Sequence, residues 1–472
     1  MKQGIFVVLF FVIPLISLSQ TAEDFYNNGN NCVQNQDYTG AIVSYTKSIN
    51  KNAKFIDSYF NRALAKEKLY DTRGAIRDYT TIISISPKHA KAYNNRGVLK
   101  MELNDLHGAL EDFSKAIQVA PTYQTALFNK ALLLSKQEKL SEALSLYSKI
   151  IKTHPKHAQT YYNRALLYMK MQNYQKAVND LSHYATLVST DSDALQILAF
   201  LHIANQNYTE AVTHFSSILS LEPENYKTHY NKGCANFLQG NYVHSVNDFR
   251  KAIAINPSFK DAYYNRGVAR IYLQDFQGAI IDFTQVIQLE PNDTSAYINR
   301  GFSYLNTHDT LTAIADFSKA AKIADNYEAA FYNRALANIE TNNISLAIQD
   351  FTKVTEINPN NLDVLINLAY IQTQNNKPNE AIETFTKALT ISPNNQELLL
   401  NRAMLHYETE QYQEAVVDFT ELIAHSANGT NYYYRGLANI YMLDLDNGCE
   451  DLSISGELGM EEAYVQIKKH CN

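Results

Sequence analysis

Small, apolar and polar residues recur in a fixed order along almost the whole chain. In KDAYYNRGVARIYLQDFQGAIIDFTQVIQLEPND (260–293), apolar and small residues stand three and four apart up to Ile271, break at Gln274-Asp275, and resume up to Ile287. That spacing places them on one face of a helix, so the segment predicts two short amphipathic helices joined by a tight turn. The same 34-residue order starts at Ala22 and runs in frame through twelve copies to Gly429, with starts at 22, 56, 90, 124, 158, 192, 226, 260, 294, 328, 362 and 396. A thirteenth, degenerate copy opens near Thr430. A fixed period of this length marks a repeat architecture, in which each unit buries its apolar face only against its neighbours.

Each column of the repeat has a physical reading. Column 8 is always Gly or Ala, and column 20 is Ala in every copy but one, which has Ser245. Two small residues twelve apart, one per helix, let the helices cross closely, and column 24 fills the space beside them with Tyr, Phe or Leu. Column 32 is proline in eight copies, and proline punctuates because it cannot continue a helix interior. With YYNR at Tyr161 and Tyr263 and FYNR at Phe331, this pattern resembles the tetratricopeptide repeat family over 22–429 and most of the tail. The resemblance implies an all-α fold, a right-handed α-α superhelix (solenoid) of 34-residue helix-turn-helix repeats, with first helices lining a concave groove. Departures are local. Column 4, often Trp in the family, is Tyr, Phe, Leu or His here, and the sixth repeat reads LQILA where others read YYNRG.

Two sets of columns carry candidate chemistry. Column 6 is Asn at Asn27, Asn61, Asn95, Asn129, Asn163, Asn231, Asn265, Asn299, Asn333, Asn367 and Asn401, and the sixth repeat breaks the run with Ile197. Asparagine is a mediocre helix former, so its recurrence inside a helix needs a cause. By resemblance to family members that bind extended peptides, the column would face the groove as a ladder whose amides match peptide units; inheritance by duplication is the alternative. Beside it, column 5 carries Tyr26, Phe60, Phe128, Tyr162, Tyr230, Tyr264 and Tyr332. These rings serve either ligand contact or packing between adjacent first helices. Column 7 is Arg and column 23 is Asp in the same copies: Arg62 and Asp78, Arg96 and Asp112, Arg164 and Asp180, Arg266 and Asp282, Arg300 and Asp316, Arg334 and Asp350, Arg402 and Asp418, and in the tail Arg435 and Asp451. The charges vanish together in repeats 1, 6 and 11, so each pair is expected to be an ion pair joining the two helices of one repeat. Lys232 and Asp248 fit the rule, whereas Lys130 meets Leu146.

Composition sharpens this picture. Glycine (16) and proline (10) are scarce in 472 residues, which favours helices over many short strands, and 46% hydrophobic residues exclude a disordered chain. A net charge of −7 disfavours nucleic acid as a partner. Lys2, an apolar run from Ile5 to Leu18 broken at Pro14, and the small residues Ser17 and Ser19 describe a secretory signal peptide over 1–19. An uncleaved amino-terminal anchor is the alternative, and no other run is long enough to span a membrane once the signal is cleaved. The expected organisation is therefore a signal peptide (1–19), twelve repeats (20–429), and a degenerate thirteenth repeat with a capping helix (430–472). Localisation is expected to be periplasmic or secreted.

The tail, with G-C-x-D-L and a closing I-K-K-x-C, resembles those of exported repeat proteins from Bacteroidetes-type bacteria. In an oxidising compartment Cys449 and Cys471, at its two ends, are expected to be bridged. Cys32 and Cys234 lie six repeats apart and read as small buried residues. No phosphate loop, G-x-S-x-G, H-E-x-x-H or C-x-x-C motif occurs, and His154 and His157 are the nearest metal-like spacing; no cofactor and no metal are expected. Residues outside the array are too few for a catalytic domain. The sequence thus points to a non-catalytic scaffold holding an extended segment of a protein or peptide partner in its groove. A structural part of an envelope or secretion machine, or a glycan binder, are the alternatives.

Overall fold

The computed structural model describes residues 20–471, and the expected signal peptide lies outside the described residues. The chain divides into two compact units, with the boundary between Leu221 and Glu222, at the end of the sixth repeat's second helix. Among the described residues there are twenty-seven α-helices and no strand, so the all-α repeat fold expected from the periodicity is the fold observed. The first repeat is α1 (Ala22–Gln34) and α2 (Tyr38–Lys51), the second α3 (Ile56–Lys68) and α4 (Thr72–Ile85), and α5 (Ala90–Glu102) opens the third. Within each unit, a helix packs chiefly on its partner in the same repeat and next on the adjoining helix of the neighbouring repeat.

The hairpin turn follows from helix-end chemistry. In repeat 8 the N–H of Asp275 donates to the carbonyl of Arg270 at 2.9 Å and that of Gln274 to Ile271 at 2.9 Å. This double closure is the Schellman motif, which needs one residue in the left-handed region. Gln274 takes it at φ 58°, and its counterparts include Tyr70, Glu138, His308 and Glu410; only repeat 7 places glycine there, Gly240 at φ 82°. Each non-glycine residue in that region costs about 1–2 kcal/mol, offset by the carbonyls the turn satisfies. The next residue then starts the second helix: Asp275 Oδ1 accepts from the Gly278 N–H at 3.0 Å.

Between repeats, the residue before proline is held extended. Asn256, before Pro257, has φ −127° and ψ 90°. Val188, before Ser189, has φ −136° and ψ 82°. The turn thus persists without the ring, and proline stiffens a conformation that packing already selects. The core repeats as well. Phe283, Phe317, Phe351, Phe385 and Phe419, all column 24, are fully buried, each stabilising by about 1.5–3 kcal/mol. A β-carbon added to Gly267 would lie 2.9 Å from the Phe283 ring, which shows how closely the paired helices cross.

Candidate functional site

The conspicuous polar elements are built from the same columns. In all eight Arg–Asp copies the guanidinium grips its carboxylate with two bonds, Nη2 to Oδ1 at 2.6–2.7 Å and Nε to Oδ2 at 2.7–3.0 Å. The side chains of Arg300 and Asp316 are 16% and 7% exposed. Lys232 reaches Asp248 at 3.7 Å. Two further partners were not anticipated. Nη1 of Arg300 donates to Thr284 of the preceding repeat at 3.1 Å, and six other arginines make the same bond to the column-25 hydroxyl before them. Arg266 lacks it, and the residue at that place is Arg250. Column 11 supplies the other partner: Lys66 to Asp78 at 2.7 Å, Lys100 to Asp112 at 2.9 Å and Arg270 to Asp282 at 2.8 Å. In repeat 6, where the charges are missing, His202 and His214 stack at 5.4 Å between ring centroids. Each clamp therefore ties the helices of one repeat together, and all but that of Arg266 tie neighbouring repeats through the hydroxyl as well.

The asparagine column forms a second, half-buried lattice. Asn61 donates to Tyr26 Oη at 3.1 Å, Asn265 to Tyr230 at 2.8 Å and Asn299 to Tyr264 at 2.9 Å. In each, column 6 of one repeat reaches column 5 of the repeat before. Asn129 uses the same geometry onto Asn94 at 3.0 Å. Where column 5 has no oxygen, the amide turns elsewhere: Asn95, after Phe60, donates to Tyr79; Asn401, after Ile366, to Tyr370; and Asn333, after Ile298, to its own helix at Ala329. Asn27, in the first repeat, is exposed, and Asn163, Asn231 and Asn367 are half-buried. Tyr162 and Tyr332 pack against Tyr184 and Phe351 at 5.2 and 5.9 Å. Signal for this lattice was present in the sequence as a hydroxyl in column 5 followed one repeat later by Asn in column 6. The Oδ1 atoms of Asn61, Asn265, Asn299 and Asn401 accept no hydrogen bond from a described residue.

One wall of this lattice opens onto a cavity of about 900 Å³ between α1, α2, α3, the start of α4 and the end of α5. Asn30 and Asn61 reach it beside Val33, Leu64 and Leu99. Its polar floor is tied together: Tyr45 donates to Asn30 Oδ1 at 2.8 Å, and Asn61 donates to the same oxygen at 3.0 Å. Burial pushes the Tyr45 hydroxyl up to about 12. Glu67 accepts from the Tyr79 hydroxyl at 2.6 Å, and burial raises its carboxyl above the ordinary value despite that bond.

In the tail, a disulfide joins Cys449 to Cys471 with their α-carbons 5.9 Å apart. It secures the last helix (Glu461–His470), whose buried Ala463 packs with Leu437, Ile440 and Leu452. Cys32 and Cys234 are free and half-buried, and burial pushes the Cys234 thiol up to about 11. Among the described residues no three His, Cys, Asp or Glu side chains gather as metal ligands, and no helix is long and apolar enough to cross a membrane.

Family models described as tetratricopeptide repeat match residues 90–123, 130–201, 226–259, 260–293, 328–361, 351–383 and 372–440, together more than half of the chain. No curated protein matches. Similar solved structures include a tetratricopeptide repeat protein from Parabacteroides merdae, 24% identical over 52% of this chain and 98% of that one, with a TM-score of 0.33. Another is YrrB, described as a TPR protein with an unusual peptide-binding site, 21% identical over 40% of this chain and 96% of that one, TM-score 0.35. A third is PilF from Pseudomonas aeruginosa, 17% identical over 43% and 92%, TM-score 0.38.

Proposed function

The chain belongs to the tetratricopeptide repeat family, and from that premise we propose that this interaction scaffold holds an extended segment of a partner protein along its first helices without catalysing a reaction. The observation that carries this reading is the half-used asparagine column. The amide N–H groups of Asn61, Asn265 and Asn299 are spent inside the stack on tyrosine hydroxyls, which fixes each side chain. Their Oδ1 atoms are left able to accept from the backbone N–H groups of an extended chain, whatever its side chains. Each such bond contributes only about 0.5–1.5 kcal/mol net, so recognition needs several rungs at once. The signal-like segment over 1–19 and the bridged tail support placing this activity in the periplasm or outside the cell, where disulfides persist.

The reading is tested by replacing Asn265, Asn299 and Asn333 together with Ala and crosslinking the protein in the envelope of its native host. Loss of the crosslinked partner is expected, with a small fall in melting temperature, because only two of the three amides bond across repeats. Unchanged crosslinking by the triple variant overturns the groove reading.

A further inference from the structure

We propose that the cavity between α1, α2, α3 and α5 is a subsite for a lysine or arginine side chain of the bound segment, with Glu67 and Glu102 as its anionic partners. The inference rests on the groove reading above and adds the chemistry of one residue of the ligand. Column 12 points the same way. Across the twelve repeats it holds apolar residues, Ser135, Thr373 or Tyr407, and a carboxylate only at Glu67. That carboxylate is held in place, since the buried Tyr79 donates to one of its oxygens at 2.6 Å and Asn95 in turn donates to Tyr79 at 3.1 Å. No described residue forms an ion pair with Glu67 or with Glu102, which also lines the cavity.

Of the charged residues lining the cavity, Glu67 is half-buried, Glu102 is exposed, and the one cation, Lys68, is exposed as well. The direction of the Glu67 pKa agrees with the geometry: burial first, and repulsion from Glu102 as well, raise it, and a cation beside the two carboxylates offsets that repulsion. Val33, Leu64 and Leu99 give an aliphatic stem an apolar wall, which matches the build of lysine and arginine, a charged head on a methylene stem. A carboxylate or an aliphatic side chain satisfies only part of this lining.

The test is fluorescence anisotropy of the purified protein with labelled Ser/Thr/Ala peptides that differ only at the central residue: Arg, Lys, citrulline, Leu or Glu. Citrulline keeps the shape of arginine and removes its charge. The Arg and Lys peptides are expected to bind roughly tenfold or more tighter than the citrulline peptide, as one charge-assisted contact warrants. Glu67→Gln with Glu102→Gln should erase that preference, bringing the Arg, Lys and citrulline peptides to similar affinities. Equal binding of all five peptides, weakened alike by Asn61→Ala with Asn129→Ala in the same compact unit, overturns the cationic subsite and leaves the groove reading standing. Tighter binding of the Glu peptide also overturns it, in favour of Lys68 as the anchor. Binding of none of the peptides overturns both.

Discussion

At the scale of single residues, the Arg–Asp clamp governs what each repeat tolerates. Its geometry is bidentate and its carboxylate is nearly buried, so a lone partner is left as an uncompensated charge. Repeats 6 and 11 show the compatible alternative: they place Leu198 and Leu368 in column 7, opposite His214 and Thr384 rather than Asp. Arg300→Leu alone is therefore expected to lower stability by about 3–5 kcal/mol, and Arg300→Leu with Asp316→Leu by clearly less. Urea denaturation of the two variants checks this; a single variant no worse than the double one would falsify the clamp. The pairing itself was legible because columns 7 and 23 gain and lose charge together. The hydroxyl of column 25 and the second cation of column 11 escaped notice, because each needs the distance between helices to be known.

At the scale of one element, the sixth repeat replaces a charged clamp by two histidines. His202 is buried, its Nδ1 has no partner among the described residues, and it stacks on His214. Burial lowers both pKa values below the usual 6.5, against an opposing pull from Glu210, and for His214 the neighbouring His202 lowers it further. The unfolded chain therefore binds more protons than the folded one, so this contribution is full above about pH 6.5 and is lost as pH falls through the lowered values. Repeat 4 already carries Leu134 and Leu146 in these two columns. His202→Leu with His214→Leu is thus expected to flatten the fall in melting temperature between pH 7.5 and 5 relative to the wild type. Parallel melting curves across that range would rule the histidine pair out as its source.

At the scale of the whole molecule, stability in a repeat array is close to a sum over nearest neighbours, and ends matter because they lack one neighbour. The disulfide acts there, closing a loop with a sequence separation of 22 between Cys449 and Cys471, which is worth on the order of 3 kcal/mol in the chain-entropy account. Cys471→Ser is expected to speed hydrogen exchange through the last helices, Gly429–Tyr441, Leu445–Glu457 and Glu461–His470, and to leave the first repeats unchanged. Equal acceleration at both ends, or two free thiols in the intact mass of the protein purified without reductant, would contradict it.

What the sequence by itself determined is the frame that repeats within one hairpin, short of the second cation of column 11. The 34-residue period gives the helix pairs, and the small residues at the crossing and the Arg–Asp partners lie within sixteen residues of each other, where helix geometry fixes what such spacings can touch. Tertiary structure decided what lies between repeats. Asn265 meets Tyr230 across thirty-five residues, and the cavity beside Glu67 draws on five helices' worth of chain. Those contacts depend on how far one hairpin is shifted against the next, a quantity set by packed side chains rather than by any local pattern.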